Sequence, residues 1–178
     1  MNLRNLRFRF AKAWVCAANR KNLANLHVLI VGTGPSCKEG KGALLTLTER
    51  MTRQEIIRKL PDRKQKSVIK ALWKLRKLYK FKTVTADNGS EFLDFKDIEK
   101  ALKCKVYYAH PYSSWERRSN ENANGIIRLF LPKGTDFSKI STAEIKAIES
   151  WLNDYPRHIL GGISANKAAA VALTKQRQ

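Results

Sequence analysis

An α/β fold, a mixed sheet flanked by helices on both faces, is predicted by three features of this 178-residue sequence. Short apolar runs separated by turn residues come first, long patterns of helical period come later, and single strands are interposed between those helices. Leu26 to Val31, Gly42 to Thr48 and Glu55 to Leu60 read as three strands with tight connections, an antiparallel meander. Pro61-Asp62 breaks the pattern and supplies an N-cap. In the helix that follows, Val68, Ile69, Leu72, Trp73, Leu75, Leu78 and Tyr79 recur at helical spacing, and Trp73 reads as core. Lys64, Lys66, Lys70, Lys74 and Lys77 make its outer face strongly cationic. Thr83 to Ala86 is a brief strand, Asp87-Asn88-Gly89 a turn, Glu91 to Lys103 a helix, and Lys105 to Ala109 another strand. A loop from His110 to Trp115 leads to a helix from about Ser119 to Leu131. Ser141-Thr142-Ala143-Glu144 is a capping box that opens the next helix, which Pro156 stops, and the C-terminal tail is helical.

Composition bounds the function. Hydrophobic residues make up 43% and charged residues 28%, enough to bury a core and unlike a disordered chain. The 35 Lys plus Arg outnumber the 15 Asp plus Glu, a net charge of +20 that predicts a polyanionic partner, nucleic acid first, through counterion release. No run of eighteen or more apolar residues is present, and Ala13 to Ala18 is too short for the centre of a secretory signal, so a cytoplasmic location without membrane contact is expected. Cys16, Cys37 and Cys104 are far apart and form no Cys-x-x-Cys pair, which predicts buried free thiols rather than disulfides or a zinc site.

Asp87 and Glu121 are the most informative residues. Asp87 follows a predicted strand, Glu121 lies in the first turns of a helix, and one helix and one strand separate them, so a packed sheet can bring the two carboxylates together. Hard divalent cations take such oxygens, and a pair of them can activate a nucleophile and stabilise a leaving oxygen in phosphoryl transfer. A plain turn at Asp-Asn-Gly and a solvated helical glutamate are the competing reading. Asn120, Asn122 and Asn124 crowd Glu121 although asparagine is a poor helix former, which points to a nearby ligand or DNA strand. Arg117, Arg118, Arg128 and Lys133 surround the same helix and are candidates for phosphate contact, against a merely solvated face. Tyr112 and Trp115 could approach DNA or pack beneath the helix.

Leu44 to Arg53, Thr85 to Phe92, His110 to Arg117, Asn120 to Gly125, Phe130 to Phe137 and Leu152 to Arg157 are six stretches that, taken together, resemble an insertion-sequence DDE transposase of the group related to retroviral integrases. The resemblance runs from about Val31 to Lys167. It implies a ribonuclease-H-like catalytic domain, two Mg²⁺ or Mn²⁺ ions, and cleavage and joining of mobile-element ends to target DNA. Asp87 and Glu121 match the family's second and third metal-binding carboxylates, and Asn120, Asn124, Tyr112, Trp115, Arg117, Arg118, Arg128 and Lys133 are the candidate DNA-binding residues. The family's first carboxylate, counted back from Gly32, falls at Val28, which cannot bind a metal. His27 faces the other side of a strand in that position, and Glu39 and Glu49 read as a surface charge or as part of the Thr-Glu-Arg motif.

Residues 1–26 form a basic segment that resembles no part of the family, and residues 27–178 form the core. A truncated or frame-disrupted transposase, impaired in chemistry, accounts for both departures. DNA is the expected partner, with a second copy or an intact transposase beside it and no small-molecule substrate. The rivals are a non-catalytic basic DNA-binding protein, an active enzyme with an unorthodox first ligand, and a chain that folds poorly because its opening strand was replaced. Nucleotide hydrolysis is rejected. Gly34 to Gly40 encloses one residue too many for a phosphate-binding loop, and Gly42 stands where a Ser or Thr would bind Mg²⁺. His27, His110 and His158 are isolated, and no nucleophile turn is present.

Overall fold

The computed structural model describes residues 21–31, 42–86, 95–108 and 114–175, with side chains for 42–86, 96–107 and 121–174. Its strands are β1 (Lys21–Val31), β2 (Ala43–Glu49), β3 (Glu55–Leu60), β4 (Tyr79–Ala86) and β5 (Lys105–Tyr108). They form one mixed sheet in the order β3-β2-β1-β4-β5. The β3-β2-β1 half is antiparallel, as the meander pattern predicts, and β1-β4-β5 is parallel. The helices are α1 (Gln65–Leu78), α2 (Phe95–Leu102), α3 (Ser114–Phe130), α4 (Thr142–Asp154) and α5 (Ala165–Lys175), with 3-10 turns at Phe137–Lys139 and His158–Leu160.

Two cores lie on opposite faces of the sheet. Val68, Leu72 and Leu75 of α1 and Ile98 and Leu102 of α2 pack on Leu45, Leu47, Ile56 and Val84. Ile127 of α3 and Ile145, Ile148 and Leu152 of α4 pack on Leu44 and Ile57, around the fully buried Phe137. Alternation along β2 explains the division: Ala43, Leu45 and Leu47 face one core, and Leu44 the other. Thr46 and Thr48 resemble the polar positions of a half-exposed strand, yet both are fully buried because α3 and α4 cover their face. At the head of β2, Gly42 holds φ +69°, and a Cβ there would stand 3.1 Å from the Leu60 carbonyl oxygen.

Several boundaries differ from expectation. β1 begins at Lys21 rather than Leu26, and β4 at Tyr79 rather than Thr83. The two early segments pair with each other, Lys21 with Tyr79, so tertiary pairing extends strands that neither segment signals alone. The N-cap of α1 is Lys64, not Asp62. Asp62 instead closes a turn by accepting from the Lys64 amide at 3.0 Å, and hydrogen bonds from Ser67 and Lys64 hold its carboxyl below the usual range. Trp73 and Leu78 are 47% and 58% exposed, not core, because the buried stripe of α1 runs through Val68, Leu72 and Leu75. α3 starts at Ser114, which puts Trp115 on a helix rather than in a loop. The first part of the predicted Glu91–Lys103 helix lies outside the described residues. The Ser141 capping box is present as read: the Ser141 hydroxyl oxygen accepts from the Glu144 amide, and the Glu144 carboxylate accepts from the Ser141 amide.

β3 is an edge strand, and α4 closes it. The Asn153 side chain accepts from the Glu55 amide at 2.8 Å and donates to the Glu55 carbonyl oxygen at 2.8 Å, as a neighbouring strand would. One turn earlier, Glu149 accepts from the Ile57 amide at 2.6 Å and from Arg58 Nη1 at 2.6 Å. Four residues of helix rise about 6 Å and two residues of strand about 6.6 Å, so i and i+4 on α4 match i and i−2 on β3. Edge groups that would template aggregation are thereby satisfied.

Asn153→Ala leaves two buried backbone groups without partners and is expected to cost about 2–4 kcal/mol, read as a lower urea midpoint. Ser141→Ala, which loses only an exposed cap, is expected to cost about 1 kcal/mol in the same measurement.

Candidate functional site

The parallel pairing of β1 with β4 positions the candidate site. Val28 lies opposite Ala86 in that pair and opposite Leu47 of β2 on the other side. The residue after Ala86 is Asp87, where β4 ends; Asp87 itself, like Tyr112, lies outside the described residues. α3 packs on β1 and β2 and carries Glu121 two turns from its start. Glu121 is exposed, on the side of the helix away from the buried Ala123 and Ile127.

Helical register groups several predicted residues. Positions 117, 121, 124 and 128 fall at i, i+4, i+7 and i+11, one polar stripe along α3. Asn124 is half-buried and accepts from the Thr46 hydroxyl at 3.2 Å, a bond that ties this stripe to β2. Arg128 is half-buried at the far end of the stripe, and Lys133 is exposed in the turn after the helix. Asn120, Trp115, Arg117 and Arg118 are placed by the α3 backbone.

A metal pair needs oxygen ligands from separate elements held in defined geometry. Among the described residues no group of three or more His, Cys, Asp or Glu could hold an ion. The position on β1 beside the end of β4 is occupied by valine, a hydrocarbon without a lone pair. Among the described residues no complete two-metal donor set is present.

Sequence reading missed a second polar constellation, on the same face of β2. The Thr48 hydroxyl donates to Glu55 Oε2 at 2.8 Å, and Arg157 Nη2 stands 3.8 Å from Glu55 Oε1, close enough for attraction but not for a hydrogen bond. Burial pushes the Glu55 carboxyl up to about 8, against the lowering pull of Thr48 and Arg157. Glu49, expected as a surface charge or motif residue, is 2% exposed. It accepts from the Thr52 amide at 2.6 Å and the Thr52 hydroxyl at 2.7 Å, closing the turn between β2 and β3 in which Arg53 adopts φ 60°. The signal was in the text: the stretches around Leu44–Arg53 and Leu152–Arg157, separate in sequence, meet here.

Cys104 is a free thiol, half-buried, and burial with the nearby Glu99 pushes it up to about 11, which leaves it un-nucleophilic at neutral pH. Cys16 and Cys37 lie outside the described residues. Among the described residues no helix is long and apolar enough to cross a membrane.

Because the folded-state value of Glu55 is raised above its unfolded one, the native state holds the extra proton between about pH 4.5 and 8, and stability falls as pH rises through that window. The slope from this group is at most about 1.4 kcal/mol per pH unit. Glu55→Gln keeps an acceptor for Thr48, and its unfolding free energy is expected to vary less between pH 5 and 8 and to exceed the parent's at pH 8 in chemical denaturation.

Comparison with known proteins identifies relatives. No protein-family model matches the chain. It is 46% identical over 132 residues to a transposase for insertion sequence element IS4351 of Bacteroides fragilis, covering 73% of this chain and 40% of that protein. It is 41% identical over 128 residues to a probable transposase for insertion-like sequence element IS1161 of Streptococcus salivarius, covering 72% and 36%. A transposase for insertion sequence element IS1086 of Cupriavidus metallidurans is 36% identical over 148 residues, 82% of this chain and 42% of the relative. The chain therefore spans about two-fifths of the length of the curated relatives it matches.

Proposed function

From the premise that this chain is a relative of insertion-sequence transposases, we propose that residues 27–178 are a transposase catalytic core of ribonuclease-H-like architecture, impaired in DNA cleavage and strand transfer. The sheet order β3-β2-β1-β4-β5, antiparallel then parallel, supports the architecture. The observation that carries the functional reading is the register of β1 on β4. It sets position 28 against Ala86, next to Asp87, and position 28 is valine.

In this reading Asp87 and Glu121 are the remaining carboxylates of a site that takes Mg²⁺ or Mn²⁺ in intact relatives, where the ions would activate a nucleophile and stabilise a leaving oxygen. This chain's own residues perform the binding half of the work. Arg117, Arg118, Arg128 and Lys133 neutralise phosphates around α3, Asn120 and Asn124 orient the strand beside Glu121, and Tyr112 and Trp115 supply aromatic surface. Asn124 does so from a position held by Thr46. DNA in the cytoplasm, at the nucleoid, is the partner, alone or in an assembly with a second copy or an intact transposase. Residues 1–26 are basic and resemble no part of the family, but residues 21–26 run within β1 and so belong to the sheet.

The second reading, favoured by Val28 and the +20 charge, is a non-catalytic DNA-binding protein of transposase descent. The two are separated by Mn²⁺- and Mg²⁺-dependent cleavage of an element-end duplex by the chain, by Val28→Asp and by Val28→Asp with Asp87→Ala. Cleavage is expected only in Val28→Asp, and the added Asp87→Ala abolishes it. Cleavage by the unmodified chain would refute the impairment. Silence from all three, with binding intact, would favour the second reading.

A further inference from the structure

α1 is built at the expense of its own stability. It contains no acidic residue, and Lys66, Lys70, Lys74, Arg76 and Lys77 are all cationic. Lys66, Lys70 and Lys74 stand at i, i+4 and i+8, the spacing at which like charges repel on a helix. Lys64 is the N-cap without a side-chain cap bond, and Lys66 lies in the first turn, the end where the helix dipole disfavours cations. The same outer stripe carries Trp73, 47% exposed, with the Lys77 ammonium 3.9 Å from its ring centre.

Among the described residues packing assigns this stripe no task. Val68, Leu72 and Leu75 fill the core from the opposite side of the helix, and Arg76, between the two, reaches the Ala101 carbonyl oxygen of α2 at 3.4 Å. Exposed Lys80 on β4 and exposed Lys96, Lys100 and Lys103 on and after α2 add positive charge to the neighbouring elements, against one exposed carboxylate among their described residues, Asp97. From Lys66 to Lys77 the stripe is about 17 Å long. A row of ammonium groups with an aromatic plane set among them complements a phosphate backbone, and local rules of helix design are broken where function requires it.

We propose that this face of α1 binds the phosphate backbone of duplex DNA, as a second DNA surface distinct from α3. α1 and α3 belong to the layers on opposite sides of the sheet, so a duplex lying along α1 is not the segment beside Glu121. Contacts to phosphate carry no sequence information, so this surface holds any duplex, as the joining of an element end to arbitrary DNA requires. The inference rests on the DNA partnership proposed above.

The test is a fluorescence-anisotropy titration of the full chain with a labelled duplex of about one helical turn, repeated over a salt series. The parent is compared with Lys66→Gln/Lys70→Gln/Lys74→Gln and with Arg117→Gln/Lys133→Gln. The triple variant loses like-charge repulsion, so it should melt no lower than the parent, and its weaker binding cannot be ascribed to unfolding. Its affinity should fall, the magnitude of its log–log salt slope should drop by about 2–3, and its stoichiometry should go from two duplexes to one. Quenching of tryptophan fluorescence by DNA should shrink in Trp73→Phe. Parent-like affinity, slope and stoichiometry in the triple variant, with weakening confined to Arg117→Gln/Lys133→Gln, would overturn the inference and leave the DNA partnership standing. A triple variant that loses only binding to anionic vesicles would overturn it in favour of a membrane surface. No duplex binding by the parent would remove the DNA partnership and this inference together.

Discussion

The closing of the β3 edge by α4 is the interaction on which the rest of the arrangement depends. Asn153 presents one acceptor and one donor to the backbone of Glu55, and Glu149 meets the Ile57 amide one helical turn away. These side chains take the place of a further strand, so the sheet ends at β3 with its polar groups satisfied. The same contacts set where α4 lies. With α4 fixed, Trp151 stacks on Tyr155 and meets Phe130 edge-on, each at 5.0 Å between ring centres, which orients the end of α3. The helix that carries Glu121 is thus steadied from the edge of the sheet farthest from β5.

A buried line of polar residues accompanies this closure. Thr46 holds Asn124, Thr48 holds Glu55, and Arg157 faces Glu55 from beyond the end of α4. Polar groups in a low-dielectric interior specify a single arrangement when satisfied, and a carboxyl that is only partly compensated keeps its proton. Glu55 is of this second kind, and its burial rather than any partner dominates its titration. It sits in a packed seam between β3 and α4, and holds the C-terminal elements to the sheet.

The middle of the sheet has a different character. β1 lies between β2 and β4 rather than at an edge, so an opening strand of unrelated text would disturb the centre of the fold. From Leu26 to Val31 that strand is apolar apart from His27, and it pairs in register on both sides from Leu26 to Val28. Valine at position 28 suits a strand in the middle of a sheet that carries a core on each face. Positive charge, meanwhile, is spread over helices on both layers, consistent with a molecule that meets more than one stretch of polyanion.

The α/β class, the antiparallel opening, the Ser141 cap and the amphipathic helices were legible in the sequence because each is a local pattern of period two or 3.6, or a capping chemistry within four residues. Asp87 and Glu121 stand out as candidates by their places after a strand and on a helix, and Val28 as a candidate metal position through resemblance to a family. The first turns of β1 and β4 were hidden because each exists by pairing with the other. Trp73 was misjudged since period alone cannot say which of two adjacent stripes is buried. Glu55, Asn153 and Arg157 were invisible as a unit, their elements nearly a hundred residues apart. Tertiary structure alone decided them, because burial sets the protonation of a carboxyl and an edge strand accepts whatever group the packed helix brings against it.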